Sequence, residues 1–165
     1  MEDPSRQKAE QTAFRLLTLR AHSEKELRAK LRDRGFGEDI VDAVLGKCRR
    51  LGYLDDAKFA RGRARELVVN RLLGDSRISL DLRDRGIPEE LSRQAIAEAR
   101  QEMGEEEAVE TLLRRKGRAK VCPPLDEKER LRLARGLLGK GFPRGLVYRK
   151  LWKAKEEEVH DDAGE

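Results

Sequence analysis

The chain has 165 residues, of which 42% are charged and only 4% are aromatic, and this length suits one ordinary domain or a few small repeats. Residues 156–165 carry six acids and no Lys or Arg, which leaves 37 basic against 26 acidic side chains in the rest of the chain. A body this basic favours an anionic partner such as nucleic acid, an anionic membrane surface or an acidic protein groove.

Three segments of the chain align without gaps, which predicts three copies of one unit. In each segment, aliphatic residues four apart are followed by a Gly and then by a second apolar stripe. This spacing indicates a helix that ends at the Gly and a second helix that packs back against it. The segments are "LRAKLRDRGFGEDIVDAVL" at 27–45, "ISLDLRDRGIPEELSRQAI" at 78–96 and "LARGLLGKGFPRGLVYRKL" at 133–151.

A further helix precedes each pair, over residues 9–20, 56–71 and 105–116. The sequence therefore predicts an all-α fold of three tandem three-helix repeats that form an elongated, curved array, because units this small must share cores with their neighbours. The predicted repeats cover residues 1–52, 53–104 and 105–156, and residues 157–165 form an acidic disordered tail.

Capping patterns mark where the second helix of each repeat begins. Ser23 with Glu26, and Asp126 with Glu129, have the spacing of a capping box in the first and third repeats. In the second repeat Gly74-Asp75-Ser76 takes that place. The segment 117–126 interrupts the pattern and is the predicted hinge between the second and third repeats.

The stretch "GYLDD" joins the first repeat to the second. Gly52 falls where the last helix of the first repeat must stop, Tyr53 and Leu54 are placed to pack across the joint, and Asp55 or Asp56 is placed to cap the next helix. Paired carboxylates can also hold a metal or act as acid and base, but no further acid lies at a spacing that completes a metal site. The pattern therefore favours an inter-repeat joint.

Basic side chains recur along the predicted helices, away from the apolar stripes. Most single surface charges are solvated or paired with nearby acids, but the basic excess as a whole predicts a surface that binds a phosphate backbone without reading sequence. The candidate residues for this anion-binding surface are Lys25, Arg28, Arg32, Arg61, Arg65, Arg71, Arg83 and Arg85.

The sequence contains none of the usual catalytic or cofactor-binding arrangements. Its two Cys and two His are scattered, which argues against a zinc site, and it has no Gly-rich phosphate loop. No catalytic residue, metal or cofactor is predicted; an enzyme would have to use carboxylates such as Asp55 and Asp56. The polar start and the absence of a long apolar run predict a soluble, cytoplasmic protein without a membrane partner, expected to be a monomer. Tyr148 and Trp152, four residues apart, fit either a base-stacking pair or the end of the third core.

These residues together resemble the RecX family, the regulators of the bacterial recombinase RecA. The features that carry the resemblance are "LRAHSEKELRAKLRDRGF" at 19–36, "LGYLDDAKFA" at 51–60, Arg71 with "GDSRISLDLRDRGI" at 74–87, and a weaker "LLGKGFPRGLVYRKL" at 137–151. The chain departs from the family pattern in its acidic tail and in its third repeat, where "LGK" replaces "RDR".

The resemblance implies a protein that binds the RecA filament on single-stranded DNA along its groove. It also implies that such a protein lowers ATP hydrolysis and strand exchange by RecA, and that it blocks extension of the filament or promotes its disassembly. The expected setting is recombination, DNA repair and the SOS response. A non-specific nucleic-acid-binding protein that acts without RecA is the alternative expectation.

Overall fold

The computed structural model describes residues 3–116 and 125–153, and within these ranges the chain is helical and has no strand. Nine α-helices in these ranges fall into three groups of three, which confirms the predicted all-α fold of three tandem three-helix repeats. The helices are α1 (Pro4–Leu19), α2 (Glu24–Arg32), α3 (Glu38–Arg50), α4 (Asp56–Arg65), α5 (Asp75–Asp84), α6 (Glu89–Glu102), α7 (Glu105–Arg115), α8 (Glu127–Gly139) and α9 (Arg144–Tyr148).

Helix α1 begins earlier than the predicted range 9–20. The Asp3 side chain accepts a hydrogen bond from the Ser5 amide at 2.9 Å, and Pro4 stands at the first helical position, where its missing N–H costs nothing. These two residues give the helix a complete start, so the first turns form although they are polar and exposed.

Two helices continue into a π-helical turn. After α4 the backbone widens over Glu66–Asn70, and after α9 over Arg149–Lys153; the predicted helix 56–71 is therefore α4 followed by this turn. Leu72 comes next in the left-handed region, with φ 52°, and its side chain is buried in the core of the third repeat. Such a backbone is strained for a residue other than Gly.

Each repeat has its own apolar core, and two buried residues of the second repeat belong to the cores of its neighbours. Leu27 and Leu31 of the predicted stripe are fully buried in the first core, as are Ile78 and Leu82 in the second. Leu54 joins the first core and Leu72 joins the third. The second repeat is therefore tied by buried apolar side chains to the repeats on both sides.

The predicted caps of the second helices are found with one correction. Ser23 and Glu26 form the complete capping box, and the Asp126 side chain accepts from the Glu129 amide at 2.7 Å. In the second repeat Gly74 is the N-cap and gives no side-chain hydrogen bond. The carboxylate that accepts from the start of this helix belongs instead to Glu105 of the next repeat.

The repeats meet where the start of the second helix of one repeat contacts a turn of the following repeat. The Ser23 hydroxyl donates to the Arg85 carbonyl at 2.7 Å, in the turn between α5 and α6. One repeat further on, the Gly74 amide donates to the Lys140 carbonyl at 2.8 Å, in the turn between α8 and α9. The two junctions therefore use the same kind of contact. Most of the predicted hinge (117–126), the acidic tail (157–165) and the chain beyond residue 153 lie outside the described residues.

Candidate nucleic-acid interface

The "GYLDD" joint links α3 to α4. Gly52 follows the end of α3 with φ 75°, Leu54 is buried in the first core, and the Asp55 side chain caps α4 by accepting from the Lys58 amide at 3.1 Å. Tyr53 is 61% exposed and meets the Phe14 ring edge-on, with 5.8 Å between the ring centres. The joint therefore presents one aromatic side chain at the surface beside buried structural contacts.

Asp56 has a different partner from Asp55. Its carboxylate accepts a hydrogen bond at 2.8 Å from the amide of Glu24, the first residue of α2 in the preceding repeat. Burial, together with the negative charges of Glu24 and Asp55, raises the pKa of the Asp56 carboxyl above its ordinary value. The two adjacent acids of the joint thus cap two different helices, one in each repeat.

The second junction repeats this arrangement with other residues. Glu105, the first residue of α7, accepts from the amide of Asp75, the first residue of α5, at 2.9 Å. An arginine near the end of the third helix also contacts the first acid of the second helix in both repeats, as Arg49 with Glu24 at 2.6 Å and Arg100 with Asp75 at 2.7 Å. The two junctions therefore share a carboxylate cap that crosses the junction, and an arginine contact within the repeat that precedes it.

Five of the eight predicted binding cations are occupied by internal contacts. The Lys25 ammonium donates to the Asp84 carbonyl at 3.0 Å, across the first junction. Four arginines form ion pairs: Arg28 with Glu38 and Asp42 at 2.6 Å, Arg32 with Glu38 at 2.6 Å, Arg65 with Glu102 at 2.7 Å, and Arg85 with Asp81 and Glu26.

The pKa values agree with these pairings. The hydrogen bonds that Arg28 donates to Asp42 and Glu38 raise the pKa of Arg28, and the hydrogen bond that Arg32 donates to Glu38 holds the pKa of Glu38 below its ordinary value. The ridge predicted on α2 is therefore largely neutralised by acids of α3.

The other three predicted cations are Arg61, Arg71 and Arg83. All three are exposed, and none has a side-chain hydrogen bond or ion pair within the described ranges. They do not lie in one site: Arg61 lines a cleft at the first junction, Arg71 lines a cleft at the second, and Arg83 lines a groove beside α5 and α6.

The cleft at the first junction, here the first junction cleft, has a volume of about 1020 Å³. Tyr53 and Phe59 contribute aromatic surface to its wall, and Lys58 and Arg61 are exposed cations on it. The pairing of an exposed ring with basic side chains suits single-stranded nucleic acid, whose bases stack while its phosphates meet the cations.

The cleft at the second junction, here the second junction cleft, has a volume of about 540 Å³. It shares Arg63 and Arg85 with the first junction cleft, so the two adjoin. Both arginines form ion pairs with Asp81. Arg63 donates two hydrogen bonds to its carboxylate, at 2.9 and 3.1 Å, and Arg85 donates to the Oδ2 atom of the same carboxylate. The two clefts thus adjoin at an ion-paired group. The surface that they form together, here the basic path, carries unpaired cations at both junctions: Lys58, Arg61, Arg71, Arg77 and Lys140.

Five cations that line these clefts were missing from the predicted set. Arg20 and Arg63 are held in ion pairs with Glu26 and Asp81, whereas Lys58, Arg77 and Lys140 have no side-chain partner among the described residues. One sequence signal was available for Lys140, because the residue before the turn Gly is basic in all three repeats, as Arg34, Arg85 and Lys140. No local pattern marks Lys58 or Arg77, since their position depends on how the repeats dock.

Tyr148 and Trp152 form the predicted pair. Their rings are stacked, with 5.5 Å between centres and 9° between planes. Trp152 packs against the third core, whereas Tyr148 is 56% exposed. The pair therefore closes the third core and leaves one ring at the surface.

Residues 3–116 and 125–153 contain neither a metal-binding group nor a membrane-spanning helix. No group of three or more His, Cys, Asp or Glu side chains there is arranged to hold a metal ion. No helix in these ranges is long and apolar enough to span a membrane.

Comparison with known proteins agrees with this repeat structure. Residues 9–48 match the model of the first three-helix domain of RecX, and residues 55–96 match that of the second. A regulatory protein RecX of Amycolatopsis mediterranei is 35% identical over 142 residues, which cover 86% of this chain and 79% of that protein. The chain belongs to the RecX family.

Other RecX proteins match over similar lengths. A regulatory protein RecX of Thermus thermophilus is 36% identical, over 88% of this chain and 91% of that protein. The protein of the same description from Streptomyces coelicolor is 31% identical, over 96% of this chain and 85% of that protein. The family assignment thus covers all three repeats.

Solved RecX structures share the fold. The crystal structure of RecX from Lactobacillus salivarius aligns with a TM-score of 0.73 at 20% identity, over 90% of this chain and 96% of that one. A second crystal structure of a regulatory protein RecX aligns with a TM-score of 0.69 at 24% identity, over 88% of this chain and 70% of that one. At these identities the likeness supports the three-helix repeat fold alone.

Proposed function

We propose that this RecX-family protein binds the RecA filament on single-stranded DNA along its groove. In this proposal it lowers RecA ATP hydrolysis and strand exchange and limits extension of the filament or promotes its disassembly. It acts as a cytoplasmic monomer by stoichiometric binding, with no cofactor and no reaction of its own. The family assignment supports a regulatory role, and the basic path over both junction clefts is the observation that carries the contact with an anionic filament.

The eight predicted cations contribute unequally in this proposal. A phosphate that binds Arg28 or Arg32 must displace Glu38, and the displaced carboxylate then stays close to the phosphate and repels it. Arg61, Arg71 and Arg83 have no such competitor among the described residues. We therefore assign more of the filament contact to these three than to the five occupied cations.

The test is an ATPase titration of RecA on single-stranded DNA. We expect the wild-type chain to lower the rate, and the double variant Arg61→Gln/Arg71→Gln, which removes one unpaired cation from each junction cleft, to require several-fold more protein for the same inhibition. The matched control, Arg28→Gln/Arg32→Gln, removes the same charge from paired positions. We expect it to lose thermal stability and to inhibit nearly as well as wild type.

The same titration separates the alternative function. A non-specific nucleic-acid-binding protein would bind single-stranded DNA alone and would change RecA activity only at concentrations that coat the DNA. Inhibition at protein concentrations too low to coat the DNA supports filament regulation. No effect of the wild-type chain on RecA at any ratio would overturn the proposal.

A further inference from the structure

The second junction cleft gathers basic side chains from both sides of a repeat boundary. Five basic side chains and two acidic ones, Asp81 and Asp84, line it. Asp81 is already bound by two arginines of the wall. The remaining cations are Arg71, Arg77 and Lys140, and none has a side-chain hydrogen bond or ion pair in the part of the chain that the structure describes.

These three cations come from segments far apart in the chain. Arg71 follows the π-helical turn after α4, Arg77 lies in the first turn of α5, and Lys140 is the residue that ends α8. Like charges repel when they share a cleft, and this cost is relieved when an anion enters between them. Their convergence, against the single further carboxylate of Asp84, therefore makes the cleft a candidate site for an anion.

The junction glycines hold the two sides of the cleft together. A Cβ atom on Gly74 would stand 2.3 Å from the carbonyl carbon and oxygen of Gly141, and one on Gly141 would stand 2.5 Å from the Arg77 amide nitrogen. The backbone of α5 therefore touches the α8–α9 turn directly, which fixes Arg77 beside Lys140. The cations are positioned by main-chain contact.

We propose that the second junction cleft binds the phosphate backbone of single-stranded DNA directly, through Arg71, Arg77 and Lys140. This inference rests on the proposed function, because it assigns the DNA strand of the filament to one surface of the protein. A chain of phosphates fits better than a single small anion, since the cleft adjoins the first junction cleft through Arg63 and Arg85. A strand that leaves one cleft enters the other, where Tyr53 is available to stack with a base.

The experiment measures binding of a fluorescent oligo(dT) to the full chain by anisotropy, without RecA, over a range of salt concentrations. The test variant is Arg71→Gln/Arg77→Gln/Lys140→Gln. The control variant is Arg132→Gln/Arg135→Gln/Arg144→Gln, which removes the same charge from exposed cations of the third repeat that also lack partners among the described residues and do not line the cleft.

We expect the test variant to bind about 100-fold more weakly at about 0.1 M salt, because each phosphate contact on single strands adds about 0.7 to the salt slope. For the same reason its slope of log affinity against log salt should be smaller by about 2. The control should stay within a few-fold of wild type. A methylphosphonate oligonucleotide, which keeps the bases and lacks the backbone charge, should not compete with oligo(dT).

Three results would overturn the inference: equal weakening in test and control variants, no binding of oligo(dT) by the wild-type chain, or competition by tripolyphosphate as strong as by an oligonucleotide. The last result would make the cleft a site for small anions. The RecA titration judges the proposed function separately. A wild-type chain that inhibits RecA without binding oligo(dT) retains the function and loses this site.

Discussion

The three turn glycines offer a sharp test of how the repeats dock. Gly35, Gly86 and Gly141 have similar backbones, with φ of 84°, 77° and 91°, but different surroundings. A Cβ on Gly35 meets nothing within 4 Å, one on Gly86 comes within 2.8 Å of the Lys25 side chain, and one on Gly141 comes within 2.5 Å of the Arg77 amide nitrogen. Substituting Ala at each position therefore adds the same methyl group to three different environments.

The cost of Gly35→Ala is the cost of the backbone alone, about 1–2 kcal/mol for a residue with a side chain in the left-handed region. Gly141→Ala adds a clash that only a shift of the α5 backbone can relieve, worth about 1–3 kcal/mol more. Gly86→Ala should fall between them, because its nearest contact, the Lys25 Cβ atom at 2.8 Å, is fixed to the α2 backbone but is less close than the 2.5 Å contact at Gly141. The expected order of stability is Gly35→Ala, then Gly86→Ala, then Gly141→Ala.

Thermal unfolding followed by circular dichroism measures this order. For a chain of this size, about 1 kcal/mol corresponds to about 2–4 °C in Tm, so Gly141→Ala should melt clearly below Gly35→Ala. Equal losses at the two positions would refute the reasoning, since the repeats would then not be held by main-chain contact at this turn.

The joint and the ion pairs give two further predictions. Asp56→Ala should speed hydrogen exchange of the Glu24 amide about fivefold, because it removes about 1 kcal/mol of capping. The control Asp55→Ala should leave exchange of that amide unchanged. An equally protected Glu24 amide in both variants would argue against the cross-repeat cap. The hydrogen bond from Lys47 lowers the pKa of Glu10 below its ordinary 4.5, so this pair contributes stability above the unfolded pKa that is lost as pH falls through the folded one. Glu10→Gln should therefore be less stable than wild type at neutral pH, and urea unfolding curves of the two should converge in acid; a constant difference at all pH values would contradict this.

The repeat pattern was sufficient to predict the fold because it depends only on the spacing of residues that are close in sequence. Leu27 and Leu31 four apart, and a Gly four residues after the second, specify a buried stripe and a helix end without reference to the rest of the chain. The Ser23 capping box is equally local. The start of α1 was missed because the Asp3 cap and Pro4 precede the apolar pattern.

The candidate site was less predictable because ion pairing depends on which helices meet. Arg65 finds Glu102 from a different helix at 2.7 Å, and nothing near Arg65 in the sequence marks that partner. Arg77 and Lys140 come together only when α5 docks on the α8–α9 turn. Sequence predicts that the surface is basic, whereas docking decides which of its charges are free.

The cross-repeat caps give the array a direction. Asp56 and Glu105 each complete a helix start in the repeat before their own, and the turns that receive Ser23 and Gly74 also belong to the following repeat. Each of the first two repeats therefore relies on the one after it to satisfy its backbone. In a linear array with nearest-neighbour coupling, unfolding of the third repeat removes support from the second, and loss of the second removes support from the first. The backbone groups that lose their partners lie in the preceding repeat, although the coupling free energy itself is shared by both neighbours. A ligand held at the second junction therefore stabilises the repeats on both sides of it.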